Sequence, residues 1–206
     1  MSKFYKTIQM INESVVASHL PYTDQEVVMV DNYKEFADAL KRSNEKRKEM
    51  GTDDSLQLYQ PSQDEVKQIL DEGGKLFMTS DGYAGAYVKH DGYMGGLFKD
   101  PTVNRKNAAK VLQKARIEAG GSFFDAFGYP TNLESIYIKN GFRPLIRMDF
   151  NEAFAPEGWD SPSSSLASKP DNVFYVYDPT YKAKIGEGER NNDYDEGYEI
   201  AKNYKP

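Results

Sequence analysis

FFDAFGYPTNLESIYIKNGFRP, residues 123–144, decides the fold. An apolar run broken by one carboxylate, Asp125, stops at a Pro/Asn turn, and one short helix follows and closes on Gly141-Phe142. Glycine tolerates the left-handed conformation that ends many helices, so Phe142 can open the next strand from the core. The segment therefore reads strand, helix, strand. Tyr137 falls four residues before the glycine, on the helix face that it shares with Leu133.

Upstream lies the clearest helix of the chain, Asn104 to Ala119, with Ala108, Val111, Leu112, Ala115 and Ala119 on one stripe and Gly120-Gly121 at its end. Strands precede it at Leu76 to Met78, at Tyr83 to Lys89, and in a return that ends at Leu97-Phe98. His90-Asp91-Gly92 makes the hairpin turn between the last two. Before these, Val27 to Val30 reads as a short buried strand. Asp31 or Asn32 caps a helix carrying Tyr33, Phe36, Ala37 and Leu40 at i, i+3, i+4 and i+7. Ser62 with Glu65 three residues on is a capping-box pattern for a further helix, which buries Val66, Ile69 and Leu70 and stops at Gly73-Gly74.

Downstream come apolar runs at Leu145 to Phe150 and Val173 to Tyr177, separated by a Pro/Ser-rich loop, 151–172, that holds the only tryptophan, Trp159. The expected order is strand, two helices, three strands, helix, strand, helix, two strands. That is an α/β arrangement with a mixed sheet. Residues 1–23 read as an N-terminal arm and 24–181 as the domain. Residues 182–206, acidic and rich in tyrosine, read as an extended or disordered tail, or as an arm ordered by a partner.

Bulk properties narrow the function. The chain has 206 residues, 39 % hydrophobic and 13 % aromatic, enough for one domain with a sizeable core. The net charge of -6 and pI near 5.1 argue against a broad nucleic-acid footprint. With no cysteine, disulfides, thiolate metal sites and thiol nucleophiles are excluded, and two distant histidines, His19 and His90, make no zinc pattern. No GxSxG, GxGxxG or GxxxxGK motif occurs. No stretch reaches the length of a membrane span and no signal peptide is visible, which points to the cytoplasm.

The element order, about residues 24–178, resembles that of the GNAT superfamily of N-acetyltransferases. The sharpest match is the helix reading Ile136-Tyr137-Ile138-Lys139-Asn140-Gly141-Phe142, similar to the Tyr-x-x-x-Gly-Phe helix of that family. The resemblance implies a GNAT-like central mixed sheet of about seven strands flanked by about four helices, with acetyl-CoA as acetyl donor. It also implies that Tyr137 protonates the departing coenzyme A thiolate, because general acids work best when matched to the leaving group. The other reading of Tyr137 is a core tyrosine whose hydroxyl is satisfied by backbone.

The family places coenzyme pyrophosphate on a Gly-rich loop opening the central helix, where free amides and the helix dipole favour phosphate. At the matching positions stand Asn104, Asn107 and Ala109, so both glycines are gone, although alanine is tolerable at the last. Arg105, Lys106 and the preceding Lys99 can add charge, and the resemblance makes Phe98, Lys99 and residues Asn104 to Ala109, Ala108 included, the coenzyme-binding stretch. Acetyl transfer also needs a base for the attacking amine. Asp125 is the first candidate, since a carboxylate within an apolar run is costly unless paired or used. Glu134 is the second candidate, read mainly as a surface residue, and Asp149 is the third.

FNEAFAPEGWD and PDNVFYVYDP resemble an extension of acetyltransferase-like proteins encoded by bacteriophages, which makes 151–172 a lid anchored by Phe154 and Trp159. Two functions stand at this point. One is an N-acetyltransferase whose acidic surface suits a basic amine substrate. The other is a GNAT-like fold without turnover, acting as a structural or interaction protein in a phage particle or against a host factor, with a protein partner on the C-terminal tail.

Overall fold

A computed structural model of the chain describes residues 25–50, 59–103, 107–128, 133–155, 158–160 and 164–206. The N-terminal arm read over 1–23 lies outside these residues, as do Asn104, Arg105 and Lys106.

The elements are β1 (Val27–Val30), α1 (Tyr33–Glu49), α2 (Gln63–Asp71), β2 (Lys75–Thr79), β3 (Ala84–Val88), β4 (Met94–Lys99), α3 (Asn107–Ala119), β5 (Phe123–Phe127), α4 (Leu133–Lys139), β6 (Phe142–Met148), β7 (Asn172–Tyr177), β8 (Glu189–Arg190) and α5 (Tyr194–Lys202). Local chemistry explains several boundaries. The Asn32 side chain accepts from the Glu35 N–H at the start of α1. Ser62 and Glu65 close a full capping box on α2. Gly141, at φ +85°, ends α4 where a β-carbon would stand 3.1 Å from the Tyr177 ring.

Eight strands form two sheets of four. The first runs β1-β2-β3-β4, all antiparallel, and the second β5-β7-β6-β8. In the second, β7 lies antiparallel between β5 and β6, and β8 runs parallel to β6. Among the described residues the sheets are joined by one parallel bridge, Tyr93 to Phe123. The expected single mixed sheet is thus divided at the β4–β5 boundary.

A bulge in β4 lies beside this division. Gly85 pairs with Phe98 and Tyr87 with Gly95, so β4 carries one residue more than β3 over that span, a bulge at Gly96-Leu97. Gly96 sits at φ +56° beneath the Tyr87 ring, where a β-carbon would meet ring atoms at 2.8 Å. A bulge bends its strand and takes the extra residue out of the ladder. Here it lies just past the Tyr93–Phe123 bridge, where β4 and β5 no longer pair.

Three apolar clusters hold the molecule. One fills the space under α3 and α4, with Phe124, Val111, Ala115, Tyr137 and Tyr175. A second lies under α1 and α2, with Phe36, Leu40, Val66 and Phe98. The third lies on the other face of the second sheet, with Phe123, Ile146, Phe174 and Ala201.

That third cluster corrects the reading of 182–206 as extended or disordered. The segment forms β8 and α5 and packs back on the domain. Asp193 caps α5 by accepting from the Glu196 N–H, and Tyr194, Tyr198 and Ala201 then fall at i, i+4 and i+7 toward the sheet. Acidic composition hid a short amphipathic helix.

Candidate functional site

Side chains alternate across a strand, so β5 sends its residues to two environments. Phe124 faces α3 and α4, while Phe123 and Asp125 face α5. Asp125, half-buried, accepts from the Tyr93 hydroxyl at 2.6 Å and the Tyr194 hydroxyl at 3.3 Å on Oδ1, and from Asn172 Nδ2 at 3.2 Å on Oδ2. Burial, reinforced by the Asp125 charge, pushes the Tyr93 phenol well above its ordinary value, so Tyr93 donates throughout the physiological range.

Tyr137 occupies the opposite face. Its ring stands 4.7 Å from Phe124 and 5.0 Å from Tyr175. Burial, followed by the Asp125 charge, pushes its pKa to about 12. Its hydroxyl has no hydrogen-bond partner among the described residues. The backbone satisfaction expected of a purely structural tyrosine is therefore not seen there. Tyr137 and Asp125 flank β5 beside the point where β4 and β5 part.

The other sequence candidates are distributed differently. Glu134, read as a surface group, is wholly buried and ion-paired with Arg147, and accepts from the Gly186 N–H at 2.8 Å. It was missed because its partner lies 13 residues away on another element. Asp149 is exposed and bound by Arg190 at 2.8 Å and Asn192 at 2.9 Å. Phe98 turns its side chain into the second cluster, 5.7 Å from Phe36. The Lys99 carbonyl accepts from Arg47 Nη2. Asn107 opens α3, and Ala108 and Ala109 are half-buried in its first turn. In the loop 151–172, Trp159 anchors on Phe150 at 5.1 Å, but Phe154 is 87 % exposed and anchors nothing. Tyr93 and Tyr194 escaped sequence reading. Nothing in the spacing of either points to Asp125, which they reach only once the chain is folded.

A groove of about 250 Å³ runs along α3, where Ala109, Leu112 and Arg116 face Asn140, Phe142 and Tyr177. Its walls are mixed, with Gln113, Arg116 and Asn140 beside Leu112, Ile117 and Phe142, and the Arg116 guanidinium is stacked 4.1 Å over Tyr177. Enclosing pockets for drug-sized ligands run roughly 300–1,000 Å³. The groove falls just below that range.

No protein-family model matches the chain, and no curated protein sequence does either. Solved structures do. The Salmonella typhimurium protein yncA, assigned as an acetyltransferase and solved with its cofactor acetyl-CoA, matches with a TM-score of 0.52 at 13 % identity, over 79 % of this chain and 98 % of that one. A GNAT-family acetyltransferase from Staphylococcus aureus matches at 0.43 and 15 % identity over 76 % and 100 %. A Staphylococcus epidermidis protein assigned as an acetyltransferase gives 0.47 and 13 % over 76 % and 100 %. The fold is a mixed α/β fold of the GNAT type. At 13 % identity the likeness to the Salmonella structure is one of fold. No described helix is long and apolar enough to cross a membrane.

Proposed function

We propose that the chain transfers an acetyl group from acetyl-CoA to an amine by direct attack. The observation that carries the reading is the parting of β4 from β5 beyond the Tyr93–Phe123 bridge, with Asp125 and Tyr137 on opposite faces of β5 beside it. Bound there, acetyl-CoA would supply a thioester carbonyl activated toward amines. A backbone N–H left unpaired by the bulge at Gly96-Leu97 would polarise the carbonyl. Asp125 accepts the amine proton, its carboxylate held in place by Tyr93 and Asn172. Tyr137, protonated up to about pH 12, donates to a thiolate.

Calorimetric titration with acetyl-CoA and with coenzyme A tests this. Micromolar binding that is lost when Asn107→Trp and Ala109→Trp are introduced supports it. No binding at millimolar ligand overturns it.

A second reading has its own observation. Helix α5 lies over the face that carries Asp125, and asparagine replaces a phosphate-loop glycine at 107. A GNAT-like fold retained as a structural or interaction protein would keep such a cover. Failure of both titrations favours it.

A further inference from the structure

The three donors to Asp125 are of unequal quality. O–H···O bonds cluster near 2.7–2.8 Å. Tyr93, at 2.6 Å, is a full partner, and its ring is fixed against Phe123 at 5.5 Å and Tyr198 at 5.6 Å. Tyr194 reaches the same oxygen at 3.3 Å and is 45 % exposed. No Lys, Arg or His is ion-paired with Asp125 among the described residues.

The position of Tyr194 is imposed from elsewhere on α5. Gly197 lies so close to the sheet that a β-carbon would stand 2.9 Å from the Phe174 ring. The Tyr198 hydroxyl donates to Asp91 at 2.6 Å, Ala201 is buried, and Tyr204 donates to Asp178 at 2.6 Å while accepting from Arg143 at 3.0 Å. The helix would sit here without the Tyr194–Asp125 contact. That contact can open without undocking the helix.

We propose that Tyr194 is the specificity-determining residue of the acceptor site: an acceptor nitrogen replaces its hydroxyl on Asp125 Oδ1, and its ring limits the bulk carried next to that nitrogen. The acceptor class is an unbranched primary amine, and this deepens the acetyltransferase reading and rests on it for what happens to the amine afterwards. Tyr93 and Asn172 keep their bonds to the carboxylate.

The test uses the full chain, butylamine and its isomer sec-butylamine, which differ in branching beside the nitrogen, with the Asp125 and Tyr194 amide signals followed by NMR. Wild type should respond to butylamine and not to its isomer. Tyr194→Phe removes the competing hydroxyl and keeps the ring, so it should bind butylamine about three- to tenfold more tightly with the same discrimination. Tyr194→Ala should admit both amines. Unchanged butylamine affinity in Tyr194→Phe overturns the proposal even where Tyr194→Ala loosens α5. Equal response to both amines in wild type, or no response in any protein, also overturns it. Acetyl-CoA titration of the same samples separates the outcomes: without it the acetyltransferase reading falls, whereas amine selection at Tyr194 stands or falls on the NMR result.

Discussion

The Arg147 guanidinium lies buried against the Glu134 carboxylate, and the same Glu134 oxygen receives the Gly186 N–H at 2.8 Å. Asp171 adds a second carboxylate to Arg147 at 3.2 Å. Strand β6, helix α4 and the segment leading to β8 therefore share one buried pair. Removing Glu134 leaves Arg147 only the Asp171 carboxylate and the Glu187 carbonyl, a partial compensation, whereas replacing both partners with apolar groups of like volume is often neutral. Glu134→Ala should cost about 2–4 kcal/mol in urea unfolding, with Glu134→Leu/Arg147→Met costing clearly less. A single-variant loss under about 0.5 kcal/mol would show that the pair is dispensable.

Tyr137→Phe separates packing from chemistry. The ring contacts survive and the lost hydroxyl has no partner among the described residues, so stability should change by less than about 1 kcal/mol. If Tyr137 is the general acid, acetyl transfer should fall about 10²–10⁴-fold. An unchanged rate would remove it from the mechanism.

Gly197→Leu should raise the intrinsic helix propensity of α5 by up to about 1 kcal/mol. It should nevertheless detach the helix, because the added side chain must enter Phe174 and Ile146. Hydrogen exchange should show lost protection over 194–202 with β2 and β3 unchanged. Protection equal to wild type would mean that α5 docks less closely than described.

Two carboxylates that receive tail tyrosines ionise below their ordinary value of 3.8. At Asp91 burial opposes ionisation, but hydrogen bonds from the Tyr198 hydroxyl and the Tyr93 N–H outweigh it. At Asp178 the Tyr204 hydroxyl is the leading cause. A depressed carboxylate contributes stability that is full above the unfolded pKa and is lost as pH falls through the folded one. Near-UV circular dichroism should thus report α5 docking intact from neutral pH down to about 5, with loss beginning below 3.8. Asp91→Asn should flatten that acid limb. An identical limb would exclude Asp91 as its source.

Much of this was legible in the sequence, for local reasons. The capping box at Ser62, the Asp91-Gly92 turn and the glycine closing α4 are chemistry within four residues, and the element order from 27 to 177 follows from them and from periodicity. The burial of Glu134 depends on Arg147, and the place of Asp125 depends on Tyr93 and Tyr194, 32 and 69 residues away. Such partners have no periodic signature. α5 did carry a signal, Asp193 as a cap followed by Tyr194, Tyr198 and Ala201 at helical spacing, which the acidic composition overrode.

The strand order β5-β7-β6-β8 has a consequence for synthesis on the ribosome. The first sheet is complete once Lys99 has emerged, built from sequence neighbours and one returning strand. β5 and β6 are made next, yet neither pairs with the other, and both wait for β7, which ends at Tyr177. At about 5–20 residues per second that interval is on the order of seconds. During it two apolar strands carry bare edges, the condition that invites pairing with another nascent chain. β7 is the strand that joins β5 to β6, so codon-driven pausing between Met148 and Asn172 should depress yield more than the same pause placed before Lys75.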